Sequence, residues 1–195
     1  VKMFFYARIS KEPRAWGTFT DSLVQEGASE TKGVGNGLYL TYDTAEGEVI
    51  EMQVGVSYTS MENALLNLEE ESRGVSFGEA RRQARERWNA MLSRIRVEDD
   101  DTTNLKKFYT GMYHALLGRG ISSDVNGAYP RNDGSIGQLP TGKNGALTHH
   151  YFNTDGMWGG FWNLSQLWML AYPDHFREYL QANLDFYAET GWLHD

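Results

Sequence analysis

The chain has 195 residues, 41% hydrophobic and 23% charged, with a net charge of −8 and a pI near 5.1. A net-acidic chain repels phosphate backbones and anionic lipid, so nucleic acid is not an expected partner. There is no apolar run long enough for a membrane-spanning segment, and the absence of cysteine excludes disulfides, thiol catalysis and thiolate metal sites.

In chain order, Val1–Ile9 is rich in aromatic and β-branched residues and reads as a strand. Residues 10–36 carry Pro13 and several glycines and read mostly as loop, with a short strand near Trp16–Thr20. Leu38–Tyr42 is a second clear strand. Asp43–Gly47 reads as a hairpin turn into a third strand, Glu48–Ser57. Paired strands of this kind suggest part of an antiparallel sheet or sandwich. The pattern then becomes helical. Thr59 to Glu62 fits a capping box for a helix ending at Arg73-Gly74, and Ser76 to Glu79 fits a second. Phe77, Ala80, Ala84, Trp88, Met91 and Ile95 follow at helical spacing. Thr102 or Thr103 is the expected cap of a third helix, with Leu105, Phe108, Tyr109, Met112, Tyr113 and Leu116 on its face and Gly118 and Gly120 at its end. Residues 121–150 read as a long polar, glycine-rich loop, and such loops are usually functional. Phe161, Leu164, Trp168 and Tyr172 mark a fourth helix, broken by Pro173. Asp174 is the expected cap of the last, whose face carries Phe176, Tyr179, Leu180, Leu184 and Tyr187. The abrupt first and last residues suggest a fragment of a longer protein.

Between the loop and the fourth helix lies Asn153–Trp168, NTDGMWGGFWNLSQLW, with Trp158, Trp162 and Trp168 flanking Gly159-Gly160. The glycine pair marks a turn before a helix. Flat indole faces stack on the C–H faces of a pyranose, and fixed amides or carboxylates bind its hydroxyls. The plainer reading is a buried aromatic helix start with polar caps. Elsewhere the chemistry is sparse. His149 and His150 are adjacent, so on a strand they point to opposite faces and do not chelate together. HExxH, GxSxG and a phosphate loop are absent. Ser122–Gly127 has the oxygen content of a calcium loop but no downstream Glu at loop spacing, and reads as a turn. A glycosidase needs two carboxylates at a set separation. Asp124, Asp133 and Asp155 lie in or beside the long loop, yet their spacing selects no pair, and a loop aspartate is most often a turn former.

The run Gly55–Ala64, GVSYTSMENA, resembles a motif of glycoside hydrolase family 92, the calcium-dependent, inverting exo-α-mannosidases. The resemblance continues through LNLE at 66–69, ARERWN at 84–89, FYTGMYH at 108–114 and SDVNGAY at 123–129. It implies an α+β multidomain fragment: the end of a β-sandwich over 1–58, a helical linker over 59–101, and the first helices of an (α/α)6 toroid over 102–195. One departure stands out. Where many members read Trp-Asp-Thr followed by an aromatic and Arg, this chain reads Trp162-Asn163-Leu164-Ser165-Gln166, so an amide replaces an acid that contacts mannose and Gln replaces Arg. The candidate substrate-binding residues are Trp162, Asn163, Trp158 and Asp155. The catalytic acid and base and the calcium ligands are expected beyond Asp195, and neither role is assigned within the chain. The implied partners are an α-mannosyl glycan and the rest of the catalytic domain, in a secreted, periplasmic or cell-surface protein. The rival expectations are a non-catalytic carbohydrate-binding or scaffold piece and an interaction module.

Overall fold

A computed structural model of the chain describes residues 2–117, 120–153 and 157–193, with backbone alone at 157 and 158. Two compact units result, Ala7–Val54 and the set Val1–Tyr6 with Gly55–Asp195.

The first strands of the chain form two groups. β1 (Phe4–Ile9) pairs with β5 (Met52–Ser57). β2 (Ala15–Thr20) is the centre of an antiparallel sheet between β3 (Leu23–Glu26) and β4 (Asn36–Thr41). Gly17 stands opposite Tyr39, and Gly37 opposite Phe19. Each ring lies over its glycine: a Cβ on Gly37 would come 2.4 Å from Phe19 Cζ. The aromatic partner covers the backbone that the missing side chain leaves bare.

Two expectations are corrected here. β3 falls inside the stretch expected to be mostly loop. All four of its residues are exposed, so it lacks the alternation that betrays a strand, and it follows β2 through a tight turn in which Asp21 adopts φ +50°. The expected hairpin between the strands at 38–42 and 48–57 does not form. The turn itself is present, with Glu48 N donating to Ala45 O at 3.1 Å and Gly47 at φ +78°. The strands then part, β4 to β2 and β5 to β1. Lys11 Nζ helps fix this connection, donating to Asp43 O and Glu48 Oε1 at 2.5 Å each.

The larger unit is mostly helical. Ser60 caps α1 (Met61–Ser72), its Oγ accepting from Asn63 N at 3.1 Å. The expected cap, Thr59, is one residue early because its hydroxyl is held elsewhere, as described below. Ser76 caps α2 (Phe77–Leu92). Asp101, rather than Thr102 or Thr103, caps α3 (Thr102–Leu116), accepting from Thr103 N at 2.8 Å. Asp is the better cap where both residue types compete. Of the glycines expected to end α3, Gly118 lies outside the described residues. α4 is Leu164–Ala171 and α5 is Pro173–Thr190. Pro173 opens α5 at a position where its missing N–H costs nothing, and Tyr172 occupies the cap position. Asp174 therefore sits in the first turn rather than at the cap, beside Arg177 at 3.1 Å. Gly55 lets α1 approach β5, since a Cβ there would come 2.1 Å from Ala64 O.

Residues 121–150 are not an unstructured loop. β6 (Ala128–Pro130) and β7 (Ile136–Gln138) form a small antiparallel hairpin, and bridges join Ile121 to Phe152 and Thr141 to Leu147. Its apolar side chains, hidden among glycines in the sequence, enter the core. Tyr129, Leu139, Tyr151 and Phe152 pack there with Met112, Trp168, Tyr172 and Tyr179. The two largest fully buried side chains are satisfied as well as packed. Trp168 Nε1 donates to Ala115 O at 3.1 Å and Tyr172 Oη to Met91 O at 3.0 Å. The outer faces are less complete. Phe77, Ala80 and Ala84 of α2 are exposed, and so are Leu180, Leu184 and Tyr187 of α5.

Candidate functional site

The candidate site lies where the chain enters α4. Met157–Trp162 form a 3₁₀ helix, so Phe161 precedes α4 rather than belonging to it. Asn163 makes the break, with φ −161° and ψ −17°. Two side chains of the first turn of α4 then reach back: Ser165 Oγ donates to Gly160 O at 3.1 Å and Gln166 Nε2 to Phe161 O at 3.0 Å. These bonds satisfy carbonyls that the end of a 3₁₀ helix leaves free. Gln166 thus helps lock the junction.

Trp162 is 66% and Phe161 58% exposed, and their rings lie 4.7 Å apart at 33°. Asn163 is exposed beside them. It holds the cap position of α4, yet its side chain makes no capping hydrogen bond. Of the four candidate sugar-binding residues, the structure brings Trp162 and Asn163 together on one exposed edge. Asp155 and the side chain of Trp158 lie outside the described residues. Phe161, expected within the fourth helix, joins this edge instead; the signal was the Phe-Trp pair directly after Gly159-Gly160.

Behind this edge runs an apolar groove of about 380 Å3, lined by Phe161, Leu164, Trp168, Tyr179, Leu180 and Leu184 among others. Trp162 and Asn163 do not line it. Its described lining is mostly aliphatic and aromatic, with Ser165 and Asn183 among its few polar side chains, which does not suit a sugar carrying a hydroxyl on most carbons.

The loop acids are already committed. Asp124 is 3% exposed and accepts from Ser57 Oγ at 3.0 Å, Thr59 Oγ1 at 2.5 Å and Asn67 Nδ2 at 2.7 Å. Asn67 also accepts from Val125 N and donates to Val56 O, and Asn63 donates to Thr59 Oγ1. This network joins the end of β5 and α1 to the turn at 124–127, where Gly127 N donates to Asp124 O at 2.8 Å. Asp124 is therefore a structural hub as well as a turn former, and its partners lie too far away in sequence to be foreseen. Asp133 accepts from Ser135 Oγ and N, which hold its carboxyl below the usual range. A second, polar cleft of about 350 Å3 is lined by Pro140, Thr148, His149, Arg177, Glu178, Gln181 and Asp185. Its acids are paired too. His149 Nε2 lies 2.5 Å from Asp185 Oδ2, and His150 Nδ1 lies 2.6 Å from Glu178 Oε2.

Burial shifts Tyr129, Tyr151 and His175. Tyr129 and Tyr151 stack at 4.3 Å. Burial, then the hydrogen bond to Glu189, pushes the Tyr129 phenol up to about 12, and burial pushes Tyr151 upward too. Burial among Phe152 and Trp168 pushes His175 down, which favours its neutral form. Among the described residues, no group of three or more His, Asp or Glu side chains could hold a metal ion. Calcium wants six to eight oxygens, and the buried Asp124 oxygens already accept three hydrogen bonds, so the described residues do not fit that ion. No described helix is long and apolar enough to cross a membrane.

Family models match both parts of the chain: the glycosyl hydrolase family 92 N-terminal domain over residues 1–57 and the family 92 catalytic domain over residues 63–195. Among solved structures, the chain is similar to the family GH92 inverting mannosidase BT2199 from Bacteroides thetaiotaomicron VPI-5482, at TM-score 0.87 and 22% identity over 98% of this chain and 25% of that one. It is similar to the GH92 glycosyl hydrolase ccman5 at TM-score 0.83 and 25% identity, over 97% and 25% of the two chains. It is also similar to the GH92 α-mannosidase BT3965 from Bacteroides thetaiotaomicron, solved in complex with mannoimidazole, at TM-score 0.75 and 20% identity over 96% and 24%. No curated protein matches the chain. The chain spans about a quarter of the length of the solved structures it matches.

Proposed function

The chain belongs to glycosyl hydrolase family 92, and from that premise we propose that it is part of an exo-acting, inverting, calcium-dependent α-mannosidase that trims α-mannosides of glycans. Strands β1 to β5 fall in the family's N-terminal domain, and residues 63–195, with helices α2 to α5 and the β6–β7 hairpin, fall in its catalytic domain. One observation carries the assignment of a site: the exposed Phe161–Trp162 pair beside an Asn163 whose amide does not cap its own helix. On this reading the Trp162 indole stacks on the terminal mannose and Asn163 donates to and accepts from its hydroxyls, without the charge of the family's usual acid.

Inversion needs an acid to protonate the leaving oxygen and a base to activate water, with carboxyls about 6.5–9.5 Å apart. The resemblance to family 92 assigns both catalytic roles to the remaining protein, and Asp124, Asp133, Asp185 and Glu178 are each engaged by neighbours here. The calcium ligands are assigned there as well, where the ion would hold sugar hydroxyls in place. The same reading puts the enzyme outside the cytoplasm, secreted, periplasmic or on the cell surface. The test is the full-length protein with an aryl α-mannoside, followed by proton NMR of the sugar first released. β-Mannose, lost on chelation and restored by calcium, is expected. α-Mannose as first product refutes inversion, and sugar binding without release makes the protein a binding module.

A further inference from the structure

The rings of Phe161 and Trp162 are held less by packing than by the backbone beneath them. Trp162 is 66% and Phe161 58% exposed, so few neighbours fix the pose of either ring. Their 3₁₀ helix ends at Trp162, and hydrogen-bond geometry inside such a helix is poor. Two side chains of α4 supply what the helix lacks. Ser165 Oγ donates to Gly160 O at 3.1 Å and Gln166 Nε2 to Phe161 O at 3.0 Å. These are the carbonyls of the peptide groups on either side of Phe161, the second of which leads into Trp162. The helix that carries both donors is itself anchored. Trp168 is 1% exposed and donates Nε1 to Ala115 O at 3.1 Å, and Leu164 and Leu167 pack against the core. Gln166 is exposed and reaches five residues back, a bond that the helix does not need for its own ladder.

We propose that Gln166, helped by Ser165, is a positioning residue for the sugar site. It carries the fixed frame of α4 to the peptide leading into Trp162, and so sets the angle at which the indole meets the sugar. The proposal rests on the reading of Trp162 as the ring on which mannose stacks. Gln166 itself touches no sugar and acts through the Phe161 carbonyl. A ring free to swing would have to be ordered at each encounter, and that lost freedom opposes binding. Stacking is made with the bound substrate as well as in the transition state, so weakening it raises KM more than it lowers kcat.

The experiment uses the full-length protein with 5-fluorotryptophan in place of tryptophan. The fluorine signal of Trp162 is the one missing from Trp162→Phe, and it senses the pose of the ring because Phe161 lies 4.7 Å away. The deciding variant is Gln166→Glu. Glutamate has the same length but no N–H to give, and at the third position of α4 its charge favours the helix. A role in helix stability alone would therefore leave the fluorine signal and KM where they were. The expected result is a displaced or broadened Trp162 signal without any sugar present. KM for an aryl α-mannoside should rise about three- to tenfold, the range of one lost hydrogen bond, with kcat within about twofold of the parent. Gln166→Lys returns a donor and should bring signal and KM back toward the parent. Ser165→Ala should act in the same direction as Gln166→Glu, and Ser165→Thr, which keeps the hydroxyl, should not. An unmoved Trp162 signal in Gln166→Glu overturns the proposal even where Trp162→Ala raises KM. A displaced signal with KM unchanged also overturns it, and Trp162→Ala then separates the causes. If Trp162→Ala raises KM, the ring binds sugar in any pose and only the positioning role fails. If it leaves KM unchanged, the sugar site itself has been misread.

Discussion

Asp124 and Asn163 are two short polar residues with opposite situations. Asp124 sits at 3% exposure, and its carboxyl accepts from two hydroxyls and an amide supplied by residues 57–67. Asn163 is exposed at a helix N-terminus, where an Asn side chain would ordinarily bond the backbone, and it makes no such bond. Ser165 and Gln166 brace the same junction in its place. A polar group whose partners all lie within the chain explains itself as structure. One left exposed beside two adjacent, exposed aromatic rings tilted by 33° is the one proposed to hold a sugar.

The sharpest way to break this contrast is to remove everything beyond residue 195. The Asp124 network is complete within the chain, whereas the acid and base of the sugar site are proposed to come from beyond residue 195. Purified residues 1–195 should release no mannose from an aryl or disaccharide α-mannoside, with or without calcium. Release by this piece would mean that the acids described above do chemistry after all. The same piece should bind apolar dyes and self-associate, because Leu180, Leu184 and Tyr187 remain uncovered. A sharp, cooperative melt of a clean monomer would count against that expectation.

The next largest effect is on folding. Asp124→Ala leaves Ser57, Thr59 and Asn67 facing a hole, at a cost of about 3–5 kcal/mol. Denaturant unfolding of the full-length protein should show the loss. Asp124→Asn keeps an acceptor and should cost less. If both variants are as stable as the parent, the network is not a hub.

Legibility in the sequence followed distance along the chain. Ser76 is readable as a cap because its partner, Glu79, is three residues away. The role of Asp124 was not, because its partners lie 57 to 67 residues earlier and nothing local distinguishes it from Asp133. The pairing of β5 with β1 failed for the same reason: a real turn at 45–48 looks like a hairpin unless the distant strand is known. The glycines of residues 121–150 masked a hairpin whose aromatic side chains are core. At the candidate site the residue types and the turn were readable. The withdrawal of Asn163 from capping was not, because it goes with the backbone angles at the break between the 3₁₀ helix and α4, which no local residue pattern announces.

Asn163→Ala sharpens the contrast from the other side. It should lower kcat/KM of the full-length enzyme about tenfold to a few hundredfold, the loss expected for one or two sugar hydrogen bonds. The melting temperature should barely move, since no capping bond is lost. If activity is unchanged, or falls only in step with folded protein, Asn163 does not touch sugar.

The smallest effect concerns Tyr129, which resembles Asp124 in being buried and partnered, and it is read through pH. Burial, then the hydrogen bond to Glu189, raises its phenol from 10 to about 12. Ionisation would place a phenolate inside the core beside the Glu189 carboxylate, so the folded state holds the proton more tightly than the unfolded chain does. A group whose folded pKa is raised contributes its full stability below the unfolded value and loses it as pH climbs toward the folded one. This contribution should therefore be constant to about pH 9 and be withdrawn between pH 10 and about 12. Tyr129→Phe should remove part of that alkaline slope, and the raised phenol of Tyr151 stacked on the same ring should keep the rest. Melting temperature against pH for parent and variant decides it. Parallel curves above pH 10 would mean that Tyr129 ionises as freely in the folded protein as in the unfolded chain, and that its partnership with Glu189 does not resemble the one Asp124 enjoys.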